Sequence, residues 1–332
     1  MQRRDFIRSL AALSLGAGLK NPTWGETAPP GRDDLGAVLP LRPLGKTGVW
    51  VTMLGCGGYH VGRNESEREA QAIVETAIEG GVRFFDNSES YQAGGAETRY
   101  GRYLTPRYRE HVFLMTKTDA TDAAGARRSL DASLRRLKTD YLDLWQMHQL
   151  MSPGDVEGRL QGGVLDVMQE AKSRGKVRHI GFTGHASFKA HARMLALTDD
   201  LETCQMPVNV LDPSHRSFVV NVLPTLVGRK MGILAMKTLA DGRFFASTRS
   251  NRSWRSADPV IPGRISVGDA LSFAWSLPVS VVISGADNAA MLREKIELAR
   301  TFQPLSEDGR RSLVARVADL SDGRVEYFKK EV

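Results

Sequence analysis

Cysteine is scarce in this chain: its 332 residues include two, Cys56 and Cys204. A disulfide-stapled scaffold needs more of them in a shorter chain. Both sit in apolar, strand-like runs, where a free thiol behaves as a small hydrophobe. Long apolar runs are also lacking. The stretch Leu10–Leu19 is well short of the roughly 20 residues that a bilayer span requires, and no stable transmembrane span is expected. Charge of one sign is only mildly in excess, at a formal +7, part of it in Arg3, Arg4, Arg8 and Lys20 and part between Arg243 and Arg264. No long basic block with interleaved aromatics occurs, so no nucleic-acid partner is expected. A basic pocket facing an anionic cofactor accounts better for the excess. No metal site is expected.

The N-terminus reads as a targeting segment. Arg3-Arg4-Asp5-Phe6-Ile7-Arg8 precedes the short apolar run, and a polar, proline-rich stretch continues to Pro40. A charged start, an apolar core of about 10 residues and small residues beyond it form a secretory signal. Paired arginines followed by an aromatic residue resemble the twin-arginine export signal. The expected partner is the twin-arginine export machinery, and the expected location is the periplasm, with the signal either cleaved or kept as an anchor. Residues 1–40 are therefore read as signal and linker, and 41–332 as the folded domain.

From Leu41 onward, strand-like and helical runs alternate. The strand candidates are Val51–Cys56, Val82–Phe85, Val112–Thr116, Leu142–Met147, Val177–Phe182, Thr203–Val208, Gly232–Met236 and Val279–Ser284. Helical patterns at 67–79, 123–137, 164–174, 187–197, 217–228, 267–275 and 289–301 fall between them. Strict alternation implies parallel strands with right-handed crossovers, and eight repeats predict an α/β fold of the (β/α)8 TIM-barrel type. An open doubly wound sheet is disfavoured, because Gly55-Cys56-Gly57-Gly58 lacks the G-x-G-x-x-G spacing. Leu41–Leu44 and Val49–Met53 flank Gly45-Lys46-Thr47-Gly48, which reads as an N-terminal β-hairpin able to plug the barrel floor. The tail from Leu305 contains one extra C-terminal helix.

Barrel catalysis occurs where strands end at their C-termini. The second strand ends in Asp86, with Tyr91 in the following loop; the third ends in Lys117 and the fourth in His148. Adjacent strands let these four converge. A carbonyl reduced by hydride transfer becomes an alkoxide and needs a proton. A tyrosine can give it, provided its pKa near 10 is lowered by a neighbouring ammonium. Asp86 would hold Lys117 in place, and His148 would donate a hydrogen bond to the carbonyl oxygen.

Phe85-Asp86-Asn87-Ser88-Glu89-Ser90-Tyr91, Thr116-Lys117 and Gln146-Met147-His148 together resemble the tetrad of the aldo-keto reductase superfamily. Leu41–Gly48 and Gly175–Gly181 extend the resemblance over nearly the whole chain after residue 40. It implies Tyr91 as proton donor, Asp86 and Lys117 as its tuning pair and His148 as the substrate-orienting residue. It further implies an extended nicotinamide dinucleotide, NADP with NAD as the second choice, lying across the barrel mouth. Gly58 and Tyr59 match the contact near the ribose, and Gln205 the carboxamide contact. Thr183-Gly184 stands where the family often has Ser-Asn, with His185 beside it. Met236 occupies the usual aromatic stacking position, and Lys237 is within reach of a pyrophosphate. Ser284, Gly285, Asp287 and Glu294 resemble the adenosine end, where Asp287 would accept a ribose hydroxyl and repel a 2′-phosphate. His60, Trp145 and Phe244 are read as substrate-pocket residues.

Two functions follow. The first is an NAD(P)H-dependent oxidoreductase acting on an aldehyde, ketone or sugar carbonyl, or running the reverse oxidation. The second is a non-catalytic dinucleotide-binding barrel serving as a sensor, a reading motivated by the departures at Gly184 and Met236.

Overall fold

The computed structural model describes residues 29–245, 261 and 263–330. The segment read as a twin-arginine signal, which ends before residue 29, and most of the basic stretch between Arg243 and Arg264 lie outside the described residues.

Two short antiparallel pairs come first: β1 (Arg32–Asp33) with β2 (Gly36–Ala37), and β3 (Leu41–Pro43) with β4 (Trp50–Thr52). Eight strands then run parallel around a closed barrel: β5 (Leu54–Gly57), β6 (Phe84–Asp86), β7 (Phe113–Thr118), β8 (Leu142–Met147), β9 (Val177–Thr183), β10 (Thr203–Pro207), β11 (Gly232–Met236) and β12 (Val281–Ser284). Closure comes from β12 pairing with β5 through Val282↔Leu54 and Ser284↔Cys56. The expected strand Val51–Cys56 is thus two strands, one finishing the hairpin and the other opening the barrel.

Strand side chains alternate between two faces, and that alternation builds two cores. Phe84, Met115, Leu144, Leu234, Val281 and Ile283 point inward and form a cluster inside the barrel floor with Leu44 and Val51 of the hairpin. Their neighbours Phe85, Leu114, Trp145, Phe182, Cys204 and Val282 point outward into the larger core between sheet and helices. The hairpin therefore plugs the floor, as its position in the sequence suggested. Gly45 makes its turn at φ +56, where a Cβ would strike the backbone of Gly232, so only glycine fits.

The helices begin where capping chemistry allows. Ser66 caps Glu67–Glu79, Asp122 caps Ala123–Leu137, and Ser266 with Asp269 forms a capping box on Val267–Trp275. The pattern at 217–228 breaks into Phe218–Asn221 and Leu223–Gly228, the second with proline in its first turn. Pro224 has no amide hydrogen to continue the first helix. The extra helix of the tail is Glu307–Val317, with Leu313, Val314 and Val317 buried.

Part of the stretch read as linker is folded. The Arg83 guanidinium grips both oxygens of Asp33 at 2.6 and 2.9 Å, and Leu39 is buried, its amide donating to the Gly81 carbonyl. Asp33 and Leu39 therefore pack against the barrel from within that stretch.

Candidate active site

The inward face of each strand, followed one step above the floor cluster, gives the site. Asp86 lies two residues beyond Phe84, Lys117 two beyond Met115 and His148 four beyond Leu144, so all three share the inward parity. Lys117 is buried, and its Nζ donates to Asp86 Oδ1 at 2.5 Å and to the Asn87 carbonyl at 2.5 Å. Its third direction leads to the Tyr91 hydroxyl at 3.4 Å. Tyr91 stands edge-on to His148, ring centroids 6.2 Å apart, and edge-on to Tyr59 at 5.3 Å. Ser88 and Asp119 hold the His148 ring, with Nδ1 at 3.2 Å from Ser88 Oγ and 2.9 Å from Asp119 Oδ1. The Arg159 guanidinium donates to the His148 and Ala120 carbonyls, joining the two loops. The four residues expected to converge do so.

The electrostatics differ from expectation in one respect. Burial pushes the Tyr91 phenol well above its ordinary value, and the carboxylates of Asp86, Asp119 and Asp241 push the same way. The nearby ammonium does not reverse this, because burial pulls Lys117 itself down while Asp86 partly restores it. Tyr91 thus rests as a protonated acid, not as a phenol acidified in advance. Burial also lowers His148, against the opposing hydrogen bond to Asp119, so its imidazole is neutral near pH 7.

The residues expected to take a dinucleotide ring part of the mouth. Thr183 and Gln205 are register partners on β9 and β10, both buried, and Thr183 Oγ1 and Gln205 Oε1 have no hydrogen-bond partner among the described residues. Buried polar atoms without partners are costly, and a carboxamide supplies the donor and acceptor that this pair lacks. The two residues therefore fit a nicotinamide. The Gln205 amide also reaches Met236 Sδ at 3.7 Å, and Met236 is partly exposed. A Cβ on Gly184 would fall 2.6 Å from the Leu150 carbonyl and against the His191 ring. Packing thus requires glycine there, and an asparagine has no room. His185 turns away beneath the tail, its Nδ1 3.4 Å from the Phe328 carbonyl, and burial pulls its pKa down to about 3. It does not replace the missing amide.

At the opposite side, a Cβ on Gly58 would lie 2.7 Å from the Asp86 carbonyl, so backbone meets backbone there. Ser284 is buried at the end of β12, and Gly285 gives its space to the His60 ring, which would collide with any Cβ. Asp287 is exposed, with His60 Nε2 3.9 Å away. Glu294 is exposed on the helix Ala289–Arg300, whereas its neighbour Lys295 turns inward and donates to the Gly285 carbonyl at 2.5 Å. Lys237, half-buried, lies 3.8 Å from Asp241 and over the Phe328 ring.

Two pocket assignments need correction. Trp145 has the outward parity and is fully buried in the helix-side core, so it cannot line the mouth. Phe244 is likewise buried in that core. His60 belongs with Gly285 and Asp287, while Tyr59, expected only as a backbone contact, brings its ring to Tyr91. The roles of Asp119 and Ser88 beside His148 were missed. Asp119 was detectable, because it continues the inward parity of Lys117 by two residues.

A model of the Aldo/keto reductase family matches residues 53–261. The chain is 28% identical over 288 residues to the 6-dehydroglucose reductase of Novosphingobium aromaticivorans, covering 78% of this chain and 91% of that protein. It is 26% identical over 298 residues to the L-galactose dehydrogenase of Arabidopsis thaliana, covering 81% and 90% respectively. The holo form of an aldo-keto reductase from Bacillus halodurans superposes with a TM-score of 0.71 at 19% identity, over 84% of this chain and 96% of that one. At that identity the likeness speaks to the fold.

Proposed function

The chain belongs to the aldo/keto reductase family, and from that premise we propose that it is an NAD(P)H-dependent reductase of an aldehyde, ketone or sugar carbonyl, able to run in reverse, with Tyr91 as general acid and base. The observation that carries this reading is the Lys117 ammonium set between the Asp86 carboxylate at 2.5 Å and the Tyr91 hydroxyl at 3.4 Å. A bound reduced nicotinamide supplies the hydride. Thr183 and Gln205 would hold its carboxamide, with Gly58, Met236, Lys237, Ser284 and Gly285 along its length. Tyr91 gives its proton to the oxygen that becomes the alcohol, and the Lys117 ammonium stabilises the phenolate left behind. Asp86 keeps that ammonium charged and fixed. The names of the two relatives, one a 6-dehydroglucose reductase and the other an L-galactose dehydrogenase, favour a sugar carbonyl among the substrate classes.

NADP is the proposed dinucleotide. The exposed Asp287 carboxylate is the observation that favours NAD instead, since it would repel a 2′-phosphate. Steady-state rates with each reduced dinucleotide decide between them.

Replacing Tyr91 with Phe tests the mechanism. We expect kcat to fall about 10²–10⁴-fold while dinucleotide affinity, followed by protein fluorescence quenching, stays nearly unchanged. Wild-type turnover in that variant would remove Tyr91 from its role.

Export is also proposed, on the strength of Arg3-Arg4-Asp5-Phe6-Ile7 and the apolar run behind it. The twin-arginine machinery would carry the folded barrel to the periplasm with its dinucleotide already bound. Changing Arg3 and Arg4 to Lys should retain the protein in the cytoplasm; unchanged fractionation would overturn the assignment.

A further inference from the structure

Tyr91 and Lys117 come from two separate pieces of chain, and the Lys117 Nζ reaches the Tyr91 hydroxyl at 3.4 Å. The groups that hold the two pieces together lie behind them, on the helix side of the sheet. Tyr91 is followed by three consecutive residues in the left-handed region: Gln92 (φ 51, ψ 44), Ala93 (φ 51, ψ 43) and Gly94 (φ 89, ψ 0). Glycine adopts that conformation freely, but Gln92 and Ala93 carry a Cβ and are strained there. A strained turn persists only where its surroundings impose it. Two supports do so. On one side the Gln92 side chain fills the space over Gly62, where any Cβ would collide with its Oε1. On the other, the Arg136 side chain lies on the turn: a Cβ on Gly94 would fall 2.6 Å from its Nε.

Glu97 fixes that second support. It sits in the first turn of the helix Gly95–Tyr103 and is fully buried. Its Oε2 accepts from Arg136 Nε at 2.6 Å, and its Oε1 accepts from Thr116 Oγ1 at 2.5 Å. Thr116 precedes Lys117 on β7 and has the opposite parity, so it faces the helices while Lys117 faces the mouth. One carboxylate thus ties together the turn behind Tyr91, the helix Ala123–Leu137 and the residue next to Lys117.

We propose that Glu97 is a positioning residue: with Arg136 it clamps the left-handed turn behind Tyr91 to the strand that carries Lys117, and so sets the spacing of hydroxyl and ammonium in the proton step. This rests on the reading of Tyr91 as proton donor. Among the carboxylates whose charge acts on the Lys117 ammonium, Asp86 acts most strongly and Glu97 least, so the test separates position from charge.

The test follows reduction of 4-nitrobenzaldehyde by the purified full chain, read as the single-turnover rate of dinucleotide oxidation, which isolates the chemical step. Glu97→Gln keeps the side-chain volume and an acceptor for Thr116 but loses the pair with Arg136. Arg136→Met loosens the clamp from its partly exposed end and leaves the Glu97 charge in place. Both should slow the step by about 10- to 100-fold, while dinucleotide affinity and the aldehyde concentration for half-maximal rate stay within about 3-fold. Adding Ala93→Gly to either should return the rate to within about 5-fold of wild type, because glycine holds the left-handed turn without a clamp. Ala93 is exposed, so losing its methyl group removes little packing. If Glu97→Gln does not fold, Arg136→Met with and without Ala93→Gly gives the same comparison. An unchanged rate in both single variants, with only the melting temperature lowered, would reduce Glu97 to a structural role. A loss in Glu97→Gln alone would assign the effect to charge, and failure of Ala93→Gly to restore the rate would detach it from the turn. Each of these overturns the clamp and leaves Tyr91 as proton donor. Full turnover in Tyr91→Phe would instead overturn the reading of Tyr91, and the role of the clamp with it.

Discussion

Lys117 and Lys329 are both buried and both sit beside an aspartate, 2.5 Å from Asp86 and 2.7 Å from Asp212 respectively, yet they are finished differently. Lys329 spends its three hydrogens on Asp212, the His215 carbonyl at 2.7 Å and Glu326 at 2.8 Å. Asp212 in turn accepts from Ser217 Oγ and the Phe218 and Val219 amides at the start of the helix Phe218–Asn221. That network pins the C-terminal segment onto the loop after β10, and every group in it faces protein. Lys117 spends two hydrogens on Asp86 and Asn87 and aims the third at a hydroxyl that can react. A buried ion pair holds a fold when its valences are all used, and it serves chemistry when one is left pointing at the substrate side.

Substitution of each lysine by methionine should separate these roles. Lys117→Met should reduce kcat by about 10²–10⁴-fold, measured on folded protein. Lys329→Met should leave kcat within about 2-fold but lower stability by roughly 3–5 kcal/mol, because Asp212 loses its counter-charge in a buried site; urea unfolding reads that loss. Equal damage to activity in both variants would break the distinction.

The two networks also differ in their response to pH. Burial raises Glu326 from 4.5 to about 7, against the pull of Lys329. A carboxyl with a raised folded pKa binds a proton that the unfolded chain releases, so stability falls as pH rises through that window and is fullest below its lower edge. Its contribution is at most about 3 kcal/mol, and Glu326→Gln should flatten that portion of a melting-temperature profile between pH 5 and 8. A slope unchanged in the variant would place its origin elsewhere. The smallest expected effect concerns Gly184: Gly184→Asn should destabilise by about 1–3 kcal/mol through overpacking against Leu150 and His191. A neutral melting temperature would show that the loop yields.

Much of this was legible from the sequence because barrels are built from local periods. Short apolar runs marked the strands, 3.6-residue periodicity marked the helices, and the strand ends supplied Asp86, Lys117 and His148. The assignments that failed did so for one reason. Trp145 is next to Gln146 in the strand, but adjacent strand residues face opposite sides of the sheet, and Trp145 faces the helices. Phe244 lies in the short helical turn Ala240–Phe245, where no period states which way a side chain turns.

The sequence by itself determined the eight parallel strands, the plug hairpin and the polar residues that meet at the barrel mouth, since each is written in spacing along a few neighbouring residues. Only the tertiary structure decided the charge state of Tyr91, the carboxylate that meets His148 and the exclusion of an asparagine at Gly184. Those depend on burial and on partners brought in from other strands and loops. Desolvation and hydrogen-bond direction are properties of surroundings, and surroundings exist only once the chain has folded.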